Sequence, residues 1–167
     1  MNIRLVFLAD HPEHLTLLAE WHHEAFASLN PNASVAQRVA KLKSRLGRGT
    51  IPTTVIALME ATLVGSASLV EHDMAGREDL SPWIASVYVR PEYRRQGIGS
   101  QLMQQLESIA KELGIGRLYL FTPDMQPFYE TIGWSWNRLI IEAGQRLSWR
   151  RICVICVNLR TICREST

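Results

Sequence analysis

The chain has 167 residues, enough for one domain with a sizeable core. It is 47% hydrophobic and 20% charged, which is ordinary for a globular domain. A formal net charge of +2 is too small to argue for nucleic acid. The three cysteines, Cys153, Cys156 and Cys163, form no even-numbered disulfide framework and point to a cytoplasmic protein.

The first apolar run, Ile3 to Ala9, halts at Asp10-His11-Pro12, too short for a signal peptide and better read as a first strand. No run approaches a membrane span. Asp10 and Glu13 have capping-box spacing and predict a helix through about Leu29. Ser34 and Gln37 predict a second cap and a helix to about Leu46, closed by Gly47 and Gly49. Val55–Met59 and Leu63–Val70 read as paired strands. A polar loop runs from His72 to Pro82. Trp83–Val89 reads as a strand stopped before Pro91. From Gly99 the apolar residues Leu102, Met103, Leu106, Ile109, Ala110 and Leu113 recur at helical spacing. Leu118–Phe121 is a strand, Gln126–Ile132 a short helix, and two further strands follow. The C-x-x-C of Cys153 and Cys156 reads as part of a strand rather than a redox pair or half a zinc site. The expected order is β-α-α-β-β-β-α-β-α-β-β, without repeats or linkers.

The chemistry concentrates at Arg94-Arg95-Gln96-Gly97-Ile98-Gly99-Ser100, where a strand turns directly into a helix. A helix start leaves backbone N–H groups unpaired and attracts anions. Gly97 and Gly99 let a phosphate approach the backbone, and Arg94 and Arg95 add positive charge. No lysine follows as in a P-loop, and the third position of a dinucleotide fingerprint is Leu102.

This segment resembles the Q/R-x-x-G-x-G/A signature of the GNAT superfamily of acetyl-CoA-dependent N-acetyltransferases. Pro127-Phe128-Tyr129-Glu130-Thr131-Ile132-Gly133-Trp134 resembles that family's F-Y-x-x-x-G-[FW] segment. The resemblance implies a single domain over 1–167 of the α/β (α+β) class. Its mixed central sheet would have about six or seven strands and about four flanking helices. Two parallel central strands, Trp83–Val89 and Leu118–Phe121, would splay to form the acetyl-CoA cleft. Pantetheine would pair with backbone groups of Val87 and Val89, and pyrophosphate with N–H groups from Arg95 to Ser100, including those of Gln96 and Ile98. Phe128 and Thr122 would border the cofactor. Thr122 stands where many members carry asparagine.

The family's direct mechanism requires no metal and no covalent intermediate. Tyr129 is the candidate acid, since a phenol is protonated at neutral pH. Glu71, His72 and Asp73 are candidate bases. His11, His22 and His23 read as helix-face or capping residues. Glu71, Asp73, Glu78 and Asp79 suggest a small cationic amine as acceptor, with Trp21, Trp83 and Trp134 as stacking candidates. Acetylation of a protein N-terminus or lysine, or acyl-CoA sensing without catalysis, are the alternatives. No nucleic acid or membrane partner is expected, and homodimerisation is left open.

Overall fold

A computed structural model describes residues 2–136 and 153–158. Among the described residues seven strands form one mixed sheet in the order β1-β2-β3-β4-β5-β7-β6. They are β1 (Ile3–Phe7), β2 (Thr53–Met59), β3 (Thr62–Val70), β4 (Trp83–Val89), β5 (Arg117–Thr122), β6 (Ser135–Trp136) and β7 (Cys153–Asn158). Four α-helices are present among the described residues: α1 (Leu15–Ala25), α2 (Val35–Lys43), α3 (Ile98–Glu112) and α4 (Gln126–Thr131). Element order and strand number agree with expectation, and the C-x-x-C lies within β7. The Ala143–Arg151 connection lies outside the described residues.

Alternation of side chains along the strands divides the core. Val55 and Ala57 of β2, Ala67 and Leu69 of β3 and Ile84 of β4 face α3, meeting Leu102, Met103 and Leu106. Ile56 and Leu58 face the other way, toward Leu15, Leu18 and Ala19 of α1 and Leu42 of α2. A third cluster, Val70, Leu80, Trp83 and Ala85 with Tyr119 and Phe121, closes the end where β4 and β5 meet. No helix is long and apolar enough to cross a membrane among the described residues.

Local signals succeeded where no tertiary contact competed. Ser34 and Gln37 cap α2 reciprocally, with Ser34 N–H donating to Gln37 Oε1 at 2.8 Å and Gln37 N–H to Ser34 Oγ at 3.2 Å. The Asp10–Glu13 capping box does not form. The Asp10 carboxylate instead accepts from Arg48 Nε at 2.6 Å. Glu13 Oε1 takes His11 Nδ1 at 3.1 Å. Two 3-10 turns, Leu8–Asp10 and Pro12–His14, precede α1, which therefore starts only at Leu15. It ends at Ala25, short of Leu29, and α2 ends at Lys43, short of Leu46.

Candidate active site

β4 and β5 touch at one end only. Their single register pair is Trp83 with Tyr119, joined by Tyr119 N–H donating to the Pro82 carbonyl at 3.1 Å. Beyond it the strands diverge. Successive N–H groups of a strand point to opposite edges. Arg90 N–H donates toward β3, to the Val64 carbonyl at 3.0 Å, and Tyr88 pairs with Ser66. Val87 and Val89 therefore turn their N–H groups toward the gap. The Val89 carbonyl is already engaged by Arg94 Nε at 2.9 Å. Arg94 thus lies against the strand end rather than free over a phosphate site.

A bulge sits at the centre of β4. Pairing with β3 slips between Ser66 and Ser68, and Ser86 takes φ +54°. Bulges increase strand twist locally, and this one lies where β4 leaves β5.

The glycine turn opens beside the gap. Gly97 caps α3 at φ +77° with no side-chain cap on the helix start. A Cβ there would meet only Gln101 Nε2, at 4.0 Å. The Gly97 side of the helix start is therefore uncrowded, and a helix start whose N–H groups lack a side-chain cap favours an anion. Arg95 also sits at positive φ, 59°, so the backbone of this turn is held in conformations that most residues avoid. These residues fit a bound pyrophosphate, and the divergent strands fit an extended arm.

Phe128 and Tyr129 lie on α4 with ring centroids 5.0 Å apart. Phe128 packs on Gly99, while Tyr129 is buried against Trp134, their centroids 6.3 Å apart. Burial pushes the Tyr129 phenol above its ordinary value, with the Asp124 charge adding to the shift, so it stays protonated. Thr122 is buried, and its Oγ1 accepts from Met125 N–H at 3.1 Å. That bond fixes the turn into α4 and leaves the hydroxyl proton and a second lone pair for other contacts.

The three candidate bases separate. Glu71 and His72 are exposed, whereas Asp73 turns inward. Asp73 Oδ1 lies 3.6 Å from Arg45 Nη2 and 3.7 Å from Lys41 Nζ. Burial raises the Asp73 carboxyl against the opposing pull of Lys41 and Arg45. Asp79 accepts from Arg77 Nε and Nη2 at 2.8 and 2.7 Å, and Glu78 accepts from Gly76 N–H at 3.0 Å. Of the four acids expected to face a cationic acceptor, Asp73, Glu78 and Asp79 make contacts within the protein, and Glu71 is exposed.

Of the three tryptophans, only Trp21 borders this side. Trp83 and Trp134 are core residues, their indole N–H groups donating to the Leu80 carbonyl at 2.7 Å and Glu107 Oε1 at 2.8 Å. Trp21 packs on Tyr88, centroids 5.8 Å apart, and the Arg90 guanidinium lies 5.0 Å above its ring.

His22 was legible only as a helix-face residue. It is buried, and its Nε2 is 2.9 Å from Ser66 Oγ on β3. Burial, helped by Arg45, Arg38 and Lys41, lowers its pKa to about 3, so it is neutral. Sequence reasoning also missed Arg38, Lys41 and Arg45, although their spacing of three and four marks one helical stripe. His11, Glu13 and His14 place three donor atoms within 4.8 Å of one another, and their mutual polar contacts account for the grouping.

Residues 13–134 match the family model described as the acetyltransferase (GNAT) family. Solved structures share the architecture. An aminoglycoside 6'-N-acetyltransferase complexed with coenzyme A superposes with a TM-score of 0.73 at 16% identity, covering 95% of this chain and 97% of the other. An aminoglycoside 6'-acetyltransferase type Ii gives 0.70 at 17% identity over 95% and 97%. An acetyltransferase from Streptococcus agalactiae 2603 gives 0.67 at 18% identity over 93% and 98%. The chain belongs to the GNAT acetyltransferase family and is an acyltransferase whose acetyl donor is acetyl-CoA.

Proposed function

We propose that the protein, read as one domain over 1–167, acetylates the amino group of a small molecule by direct attack on the thioester. The observation carrying this reading is the divergence of β4 from β5 beside the open start of α3, with a buried phenol linked to that helix start through Phe128. Two of the structures sharing the fold are named aminoglycoside acetyltransferases, which favours a small-molecule acceptor over a protein.

Acetyl-CoA supplies, when bound, an acetyl thioester open to an amine nucleophile. In this reading the N–H groups of Ile98, Gly99 and Ser100, with those of Arg95, Gln96 and Gly97, hold the pyrophosphate, aided by the Arg95 charge. The Val87 and Val89 N–H groups take the pantetheine arm, and the one nearest the acetyl carbonyl polarises it. Asp73 is assigned the amine proton, directly or through water. It is the one candidate base linked toward β4, since Arg45 joins it to Ser86, the neighbour of Val87. Tyr129 is assigned the proton that the departing sulfur receives.

The test is thiol release from acetyl-CoA across matched panels of small amines and peptides, with product masses measured. Transfer to small amines at a kcat/KM well above that of any peptide is the expected result. A dominant peptide acceptor with sequence preference would overturn the small-molecule assignment.

A further inference from the structure

One face of α2 and the turn after it carries three basic side chains, two of which reach a single acid. Arg38, Lys41 and Arg45 recur at helical spacing, and Asp73 comes between Lys41 and Arg45. Those contacts, 3.7 and 3.6 Å, are longer than the roughly 2.7–2.9 Å of a close charge-assisted hydrogen bond, so Asp73 saturates neither cation. Arg38 has no carboxylate partner among the described residues. Its Nη2 donates to the Phe26 carbonyl at 3.4 Å, and its Nε is shielded from solvent without a partner. The group therefore carries three positive charges against one negative.

The cluster forms a path. Side-chain exposure falls inward from 49% at Lys41 to 12% at Asp73 and 6% at Arg45. At its inner end Arg45 Nη1 donates to Ser86 Oγ at 3.2 Å, on the residue preceding Val87. Burial together with the neighbouring cations holds Lys41 and Arg45 below their ordinary values even with Asp73 present. A second carboxylate would relieve that crowding.

We propose that the acceptor is a small zwitterion, an amine that also carries a carboxylate, as in an amino acid. Its ammonium end faces Asp73 and its carboxylate is received by Lys41 and Arg45, with Arg38 adding to the field. This rests on the reading that acetylation takes place beside Ser86 and Val87. A dication or polyamine would bring further positive charge to a site that already has an excess.

The experiment compares kcat/KM for a set of amino acids, their carboxamides, a neutral alkylamine and spermidine, each with acetyl-CoA saturating. At least one free acid is expected to exceed its own amide by roughly tenfold or more, the scale of a lost hydrogen bond to a charged group. Lys41→Glu should collapse that ratio toward unity while the KM for acetyl-CoA stays put. Lys41→Gln should give an intermediate ratio, which guards against a folding defect in the reversal. Amides or spermidine serving as well as the acids, or a ratio unmoved by both variants, would overturn the zwitterion proposal and leave acetyl transfer standing. No transfer to any amine, with acetyl-CoA binding intact, would remove the small-amine reading and this proposal with it.

Discussion

A Cβ on Gly99 would stand 3.1 Å from Cζ of Phe128. The two sequence segments that carry the family resemblance are therefore in contact: the phosphate turn begins a helix whose second residue is shaped to receive the aromatic ring of α4. Phe128 in turn meets Tyr129 edge to face, so the start of α3 and the candidate acid are linked through one ring.

Gly99→Val should consequently act at both places. Overpacking of this kind costs about 1–3 kcal/mol, and in a domain of this size each kcal/mol lowers Tm by about 2–4 °C. Acetyl-CoA affinity should fall with it. Phe128→Leu in the same chain should recover part of the stability, because it removes the ring that the valine meets. A double-mutant cycle by thermal denaturation measures the coupling. Strict additivity would show that the ring moves aside freely. Gly97→Ala should behave differently. There is room for its methyl, so its cost is the left-handed backbone, about 1 kcal/mol, and the sharper effect is on acetyl-CoA binding, read by calorimetry.

The His22 imidazole gives a pH-dependent stability of defined sign. Its folded pKa of about 3 lies below the ordinary 6.5, so between these values the unfolded chain holds the extra proton. Stability contributed by neutral His22 is present in full above about pH 6.5 and is lost as pH falls toward 3, at up to about 1.4 kcal/mol per pH unit. His22→Gln retains a polar group opposite Ser66 but cannot titrate. Urea denaturation of both proteins between pH 4 and 7 should show a shallower decline for the variant, and parallel declines would assign the acid sensitivity to other groups.

Elements set by nearest neighbours in the chain were readable, and partners set by the fold were not. The Trp83–Val89 strand has the bounds expected from Pro82 and Pro91, and Ser34–Gln37 forms its box because neither residue has a stronger distant partner. Asp10 has one in Arg48, 38 residues away, and its cap fails. The strand-to-helix glycine turn was legible because it is made from contiguous backbone. The contacts of His22 with Ser66 and of Arg45 with Ser86 were not, because their partners come from separate elements: α1 and β3, and the turn after α2 and β4. The acids of the 71–79 loop show the same limit: composition gives their charge but not that Lys41 and Arg45 lie beside Asp73 or that Arg77 holds Asp79.

If Asp73 takes the amine proton, the acidic limb of kcat/KM should lie above the usual carboxylate range, since burial raises its carboxyl. Asp73→Asn should lower kcat/KM by about 10²–10⁴-fold and abolish that limb. Acetyl-CoA affinity should change little. A variant that keeps the limb while losing rate would assign Asp73 to holding Arg45 and Lys41 in place, and the base to another group.

Tyr129→Phe separates packing from proton donation. The ring is buried against Phe128 and Trp134, and phenylalanine fills the same space, so Tm and acetyl-CoA affinity should stay close to the parent. Only the hydroxyl is lost. Because burial raises the phenol above its ordinary pKa, it remains a donor across the neutral range and should impose no alkaline limb of its own there. Negative charge grows on the departing sulfur as the thioester is attacked, so a donor at that position stabilises the transition state more than the ground state. Single-turnover acetyl transfer should therefore slow by about 10²–10⁴-fold, the range of a general acid. A chemical step within about twofold of the parent, with affinity unchanged, would make Tyr129 a packing residue and place the donor in solvent. Parallel loss of affinity and rate would instead place the hydroxyl in the cofactor pocket, where its first role is to hold the thioester rather than to protonate it.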